Sequence, residues 1–535
     1  MNGRRAICIG IIAGVLVILA LAMVRVLSPN NRANLALVTP GAPVVEQNRF
    51  TIDKETTYFI GPVDKYGFIN YAAALDEYLG KGVTSETNAN VLLWKALGPT
   101  PGTYKRRPAE FFNLLGMDEP PLEGENFVDV KTYIREQLKF ENAEHTKTFD
   151  GQFSATAQYP WAVADYPQVA KWLKVNEKAL ALVVAASKRP DYFCPVVDGS
   201  ISELQDPVLM YGREFAKALA SRALLRVNIG KNDEAWQDLL ACHRLARLAG
   251  RNTPLMWRTV GIVIDQIAGT ADVAFLERAG LTASQIRALE RELRTIPPTP
   301  ALANCVDVGE RVQLLDDMML ISHHGRWYVH RFTDINGKPL PDAPIENIKW
   351  DPGLRIANQW NDKVVAVMRE KDRPTRQQGL EQIWKESNER DATHWTFDEL
   401  NRAVLDMNKS PEARGRDCVE FLLGIELDRV RKIQIAADRA TQQESNLYLS
   451  FALAAYQSDH KNYPKSLDSL VPKYLAKVPD DLFTGKPLIY RPSEDGYLLY
   501  SLGPDGKDDQ GRGKDDEPKG DDIAIRMPVP KLVEK

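Results

Sequence analysis

An acidic segment near the C-terminus has the residue types best suited to metal chemistry. Residues 505–522 contain eight carboxylates and four glycines. Calcium prefers about six to eight oxygen ligands on a flexible backbone, and this segment offers both. Four cations are interleaved with the acids, which makes a solvated acidic loop without a metal the alternative. These cations are Lys507, Arg512, Lys514 and Lys519.

A second candidate lies near the middle of the chain, where His323, His324 and His330 follow Asp316 and Asp317. On one helix Asp316, His323 and His324 would share a face, so metal ligation is geometrically conceivable. The spacing matches no zinc-protease pattern, and paired histidines near a helix end are usually surface features. We therefore do not expect a metal site here.

Local catalytic motifs do not occur in the sequence. It contains no glycine-rich phosphate loop, no G-x-S-x-G elbow and no supported Cys–His arrangement. A site assembled from several helices would leave no such motif, so catalytic residues stay unassigned. Five tryptophans could line a sugar or peptide groove, but rings at such positions more often pack in the core. They are Trp94, Trp161, Trp172, Trp236 and Trp257.

Apolar residues recur at helical spacing over residues 58–438, which predicts a large α-helical body. The clearest unit is residues 212–250, where two amphipathic runs flank residues 228–232 and predict a helical hairpin. This unit resembles one tetratricopeptide-like repeat, but no second copy follows at that period. An ordinary antiparallel helix pair is favoured over a repeat scaffold. Further along, Thr282 and Gln285 predict a capping box.

Residues 439–535 predict a small α+β module. A long helix carries apolar residues and leads into two short β-rich segments, residues 487–491 and 497–502. Residues 494–496, Glu-Asp-Gly, predict the hairpin turn between them. Residues 523–525 can add a third strand. The acidic segment would then connect the second strand to the third.

Several landmarks of this module follow one order along the chain. They are Tyr456, residues 462–464 (Asn-Tyr-Pro), 466–470, 474–475, 478–481, 485–487, Tyr490, 500–506 (Tyr-Ser-Leu-Gly-Pro-Asp-Gly) and 521–523 (Asp-Asp-Ile). In this order the module resembles the globular domain of the G-type major pseudopilins of type II secretion systems. That resemblance implies a calcium ion held by Asp505, Asp521 and Asp522, with the Leu502 carbonyl as a further ligand.

The resemblance is confined to this module. A pseudopilin begins with a basic leader, a glycine cleavage site and a Phe-Thr-Leu-Ile-Glu type start to its hydrophobic helix, and residues 6–24 contain no glutamate. The resemblance therefore does not imply assembly into a pseudopilus. The rest of the chain resembles bacterial envelope proteins only in general character.

The N-terminus predicts a membrane anchor over residues 1–28. Residues 6–24 carry no charge, and a helix of that length at about 1.5 Å per residue matches a hydrocarbon core of about 30 Å. Arg4 and Arg5 favour a cytoplasmic N-terminus, which would place the bulk of the chain outside the cytoplasm at a bacterial inner membrane. A signal peptide cleaved after residues 20–22, Ala-Leu-Ala, is the alternative. Residues 29–57 predict a linker.

Bulk composition limits the class of protein. The chain has 535 residues, of which 44% are hydrophobic and 26% charged, which is typical of a globular protein with two or three domains. A net charge of −4 provides no basic field, so nucleic acid is not an expected partner. Cys194, Cys242, Cys305 and Cys418 could form disulfides or stay buried thiols.

Taken together, the sequence predicts a mainly α-helical, membrane-anchored envelope protein. We expect it to be non-catalytic, either secretion-associated or interaction-mediating, with an envelope protein as its partner and a calcium-binding C-terminal module. An exported hydrolase or lyase with its site in the helical body is one alternative. A helical-repeat scaffold is the other.

Overall fold

The computed structural model describes residues 50–64, 67–101, 106–139, 143–197, 206–251, 254–324, 348–388 and 408–530. The predicted anchor, residues 29–49 of the predicted linker, His330 and residues 531–535 lie outside these ranges. The described residues form two compact units. One contains residues 50–440 with 529–530, and the other contains residues 441–528. The sequence-based prediction placed the C-terminal module at 439–535.

The chain is mainly α-helical with a small sheet near the C-terminus, as predicted. The α-helices are α1 (Tyr71–Leu79), α2 (Ala89–Leu97), α3 (Ala109–Leu114), α4 (Val130–Tyr133), α5 (Ala143–Thr156), α6 (Pro167–Val175), α7 (Glu177–Ser187), α8 (Pro207–Asn228), α9 (Asn232–Ala249), α10 (Leu255–Arg278), α11 (Ala283–Arg294), α12 (Leu302–Asn304), α13 (Arg311–His324), α14 (Asp351–Met368), α15 (Arg373–Asn388) and α16 (Pro411–His460). Two π-helical segments, Ile134–Leu138 and Cys305–Glu310, follow α4 and α12.

The predicted helical hairpin is confirmed as α8 and α9. Gly230 has a φ of 76° in the turn between them, a left-handed conformation that glycine adopts at little cost. Buried Asp238 on α9 accepts hydrogen bonds from Arg222 at 2.6 and 2.9 Å and from Arg226 at 2.5 Å, both on α8. These paired charges fix the register of the two helices, because leaving a buried carboxylate without its cation costs about 3–5 kcal/mol.

Helix α10 packs against both helices of this hairpin. Among the described residues it is the one helix long and apolar enough to cross a membrane, and 67% of its most apolar window is buried inside the protein. Burial of that kind is typical of a core helix. The capping box that begins α11 is confirmed, because Thr282 and Gln285 cap each other reciprocally.

The five tryptophans pack in the core, since none is more than 3% exposed. The four cysteines within the described residues are buried thiols that form no disulfide there.

The end of the predicted linker belongs to the folded helical body. Asp53 accepts backbone N–H bonds from Glu55 and Thr56 at 2.7 and 3.0 Å, which forms a local turn. Thr51 bonds the carboxylate of Asp351 on α14 at 2.7 Å. Ordered structure therefore includes residues 50–57, which the sequence pattern assigned to a linker because their turn chemistry lacks a sustained period.

Residues 411–460 form one uninterrupted helix, α16, which continues through the predicted boundary between residues 438 and 439. The continuity has a simple origin, because residues 425–463 contain neither glycine nor proline. A change in the apolar pattern within a helix changes which face is buried and does not end the helix.

The C-terminal unit combines the end of α16 with a three-stranded sheet. Its strands β1 (Ile489–Pro492), β2 (Tyr497–Ser501) and β3 (Ile523–Met527) are antiparallel in the order β1-β2-β3. The β1–β2 turn falls at the predicted residues. Buried Asn446 on α16 donates to the carbonyl of Ile523 at 2.9 Å, which holds the helix against β3.

Candidate functional site

The acidic segment is the connection between β2 and β3. Ser501 at the end of β2 pairs with Ile523 at the start of β3. Because antiparallel partners lie directly opposite each other, the two ends of the connection are held side by side. The sheet thus brings the predicted residues at both ends, Leu502 to Asp505 and Asp521 to Asp522, into one neighbourhood.

Asp505 and Asp521 are in direct contact. The backbone N–H of Asp505 lies 3.3 Å from Oδ2 of Asp521. Gly503 has a φ of 67°, and a Cβ there would lie 2.2 Å from the carbonyl oxygen of Asp521. The close approach of these two backbone segments therefore requires glycine. Leu502 is held from the other side, because its N–H donates to buried Asp481 at 2.9 Å.

Asp522 is the most unusual carboxylate of the loop. Its side chain is 2% exposed, and Oδ2 accepts the Gly511 N–H at 2.7 Å. Its Oδ1 has no hydrogen-bond partner among the described residues. Burial raises the pKa of Asp522, the backbone N–H groups of Gly511 and Asp509 lower it, and the negative charges of Asp509 and Asp508 raise it further. A buried, anionic oxygen without a partner is costly, so this atom marks a position where a cation would be stabilised.

Other aspartates, which sequence reasoning did not single out, also shape the loop. Asp509 accepts the Asp521 N–H at 2.7 Å, and Asp508 accepts the Tyr500 hydroxyl at 2.9 Å. Asp516 accepts the Gly513 N–H at 2.7 Å. Asp505 and Asp508 each also accept the N–H two residues ahead, at 2.9 and 2.8 Å. An aspartate followed by such a turn is a sequence signal that could have predicted these roles.

Cations partly offset the acids, as the alternative prediction required. Lys507 lies 3.8 Å from Asp505, and Arg512 lies 3.7 Å from Asp509. Arg526, on β3, lies closer to its partner, 2.8 Å from Asp516. Within the described part of the chain, no group of three or more His, Cys, Asp or Glu side chains is arranged to hold a metal. A calcium ion would thus need backbone carbonyls beside Asp505 and Asp521.

The histidine candidate stays unsupported. His323 and His324 are the last residues of α13, and His330 lies outside the described residues. Asp316 is buried at 6% exposure.

A buried charge network in the helical body was not anticipated. His243 on α9 bonds Asp265 through Nδ1 at 2.6 Å and Asp272 through Nε2 at 2.8 Å, both on α10. Arg247, one turn after His243, bonds Asp265 at 2.9 Å. Asp265 and Asp272 are seven residues apart, which places them on one helix face and was the available signal.

The charges of this network sustain one another. Burial lowers the pKa of His243, but attraction to Asp272 and Asp265 outweighs it and raises the pKa to about 10. Burial raises the pKa of Asp265, and His243 with Arg247 brings it well below its usual range. His243 is 3% exposed, so the network joins the two helices from within the helical body.

Comparisons with known proteins give no relative. No known protein family, curated protein or solved structure matches this chain. The case for function therefore rests on the chemistry of its sites.

Proposed function

We propose that this chain is an envelope protein of the bacterial inner membrane, tethered by residues 6–24, whose C-terminal module binds calcium. In this proposal most of the chain lies outside the cytoplasm, and its role is non-catalytic, either secretion-associated or interaction-mediating. The observation that carries the calcium proposal is Asp522, a buried carboxylate whose Oδ1 has no partner among the described residues.

The donor set suits a hard cation. Asp505 and Asp521 would supply carboxylate oxygens from the two ends of the β2–β3 connection, where they are in contact, and Leu502 would supply a carbonyl at the end of β2. The pseudopilin resemblance adds Asp522 as a third carboxylate. Calcium accepts carboxylate and carbonyl oxygens together in flexible geometry. Binding would neutralise carboxylates that the sheet holds side by side. The module would therefore be more stable with calcium than without it.

The pseudopilin resemblance supports a secretion-associated role. It would also explain why a calcium-binding loop connects β2 to β3. The three-stranded antiparallel sheet next to a long helix is compatible with that resemblance. The hydrolase or lyase alternative and the repeat-scaffold alternative stay predictions, since no described constellation favours either.

Calorimetric titration of calcium into the full chain tests this proposal. We expect saturable binding to the wild-type protein and its loss in Asp505→Ala, Asp521→Ala and Asp522→Asn. Asp495→Asn is the matched control, because Asp495 is an exposed carboxylate in the β1–β2 turn of the same module. Equal binding by all variants would place calcium elsewhere, and no binding to the wild type would contradict the proposal.

A further inference from the structure

An apolar surface precedes α1 and extends onto it. We name it the aromatic loop patch and define it as Phe59, Ile60, Val63 and Tyr78. Ile60 is 66% exposed, and Val63 and Tyr78 are each 54% exposed. The rings of Phe59 and Tyr78 are 6.3 Å apart, which joins the loop to the helix. Single exposed apolar residues are common, but several in one place usually mark a binding surface.

The backbone that carries the patch is tied down at several points. The hydroxyl of Tyr71 donates to the Thr57 carbonyl at 2.8 Å, and the Asn70 N–H donates to the Pro62 carbonyl at 2.9 Å. Val63 and Ile69 form an isolated antiparallel bridge. The exposed side chains are therefore presented by a fixed loop, so little conformational entropy is lost when the patch meets a partner.

Other apolar side chains of the same segment are already packed in the core. The rings of Phe50 and Phe68 pack in a tilted arrangement 5.4 Å apart, and Ile69 and Tyr71 are buried at 4% and 1% exposure. Phe59 packs partly against this core. Ile60 and Val63 keep more than half of their surface exposed in the folded chain, and this apolar surface is available for contact with a partner.

The proposed tether determines which partner this surface meets most often. Residues 25–49 separate the apolar run from Phe50, and an extended chain of that length reaches at most about 85 Å. A tethered group meets the bilayer at high effective concentration, so even weak partitioning is sufficient. Trp and Tyr are enriched where a protein crosses the headgroup layer, and the patch exposes Tyr78. Between residues 59 and 78 the acids Asp64, Asp76 and Glu77 outnumber the one cation, Lys65, which disfavours an anionic surface.

We propose that the aromatic loop patch inserts into the interfacial layer of a zwitterionic bilayer. This inference rests on the proposed tether and is independent of calcium. The tether would be the first point of attachment to the membrane and the patch the second. Two points of attachment would restrict the orientation of the helical body. Insertion depends on apolar contact, so high salt does not release it.

Fluorescence quenching in the full chain tests this proposal. A polarity-sensitive fluorophore is attached at Ile60→Cys in a Cys8→Ser background, since the four other cysteines are buried. The protein is reconstituted in phosphatidylcholine vesicles containing a nitroxide-labelled lipid, with calcium chelated. Ile229→Cys is the matched control, because Ile229 is a loop isoleucine of 61% exposure. Val63→Cys provides a second position if Ile60→Cys does not fold.

We expect several-fold stronger lipid quenching at residue 60 than at residue 229, unchanged by salt. Equal quenching in a chain that stays in the vesicles after an alkaline wash overturns the patch proposal and leaves the tether intact. A chain removed by that wash overturns both. A fluorescence change in detergent that grows with protein concentration overturns insertion and makes a second copy of the chain the occupant.

Discussion

Carboxylates are held in two different ways in this molecule. In the helical body Asp265 and Asp272 face the ring of His243, and Arg247 adds a second cation. In the β2–β3 connection five aspartates each accept a backbone N–H at 2.7–2.9 Å. These are Asp505, Asp508, Asp509, Asp516 and Asp522.

The difference between the two regions lies in charge. Cationic side chains neutralise the helical pair, although Oδ1 of Asp272 also has no hydrogen-bond partner among the described residues. Backbone N–H groups orient a carboxylate but leave its negative charge in place. The helical network is thus neutralised by its own side chains. In the loop, backbone N–H groups fix the positions of the carboxylates and leave them negatively charged. Four changes would break or sharpen this comparison.

Removing the central cation of the helical network should have the largest effect. His243→Ala leaves Asp265 and Asp272 buried with only Arg247 nearby, and we expect the free energy of unfolding to fall by about 3–5 kcal/mol. Urea denaturation measures this change. Lys231→Ala removes an exposed ion-pair partner near the start of the same helix and should cost less than about 1 kcal/mol. Similar costs for both variants would refute a special role for the network.

The same network should make stability depend on pH. The pKa of His243 is raised to about 10 in the folded protein, against about 6.5 in an unfolded chain. A raised pKa stabilises the fold fully below about pH 6.5 and loses that contribution as pH rises through about 10. The difference in unfolding free energy between wild type and His243→Ala should therefore shrink over this window. A constant difference would contradict the assigned charge of His243.

Asp522→Asn should separate the loop from the helical network. Without calcium the free energy of unfolding of the variant should equal or slightly exceed that of the wild type, because the substitution removes a buried charge. At calcium about 100-fold above its dissociation constant, the wild type should gain about 2.7 kcal/mol and the variant much less. Thermal unfolding with calcium and with a chelator measures both. Because burial raises the pKa of Asp522, calcium affinity should also fall as pH falls through that pKa.

Gly503→Ala should show the smallest of these effects. The residue has a φ of 67°, and its Cβ would meet the Asp521 carbonyl. We expect a loss of about 1–3 kcal/mol from backbone strain, together with weaker calcium binding. Gly485→Ala also introduces a Cβ at positive φ, but nothing lies within 4 Å of it, so it isolates the effect of close approach. Equal behaviour of the two variants would show that contact with Asp521 does not shape the site.

Local signals predicted much of the fold. Thr282 and Gln285 are three residues apart, and Gly230 lies between two amphipathic runs, so neighbours in sequence determine both features. The β2–β3 connection was also readable, because the strands on each side bring its ends together. The His243 network was not, since its partners lie 22 and 29 residues away on another helix. The support of Leu502 by Asp481 was missed for the same reason.

Hydrogen–deuterium exchange of the full chain, with calcium and with a chelator, tests the proposed calcium site most directly. The account predicts that calcium slows exchange at the bonded N–H groups of the β2–β3 connection, including Gly511 and Asp521, and leaves α8, α9 and α10 unchanged. Identical exchange in the connection under both conditions, at calcium concentrations up to millimolar, would contradict a calcium-binding module.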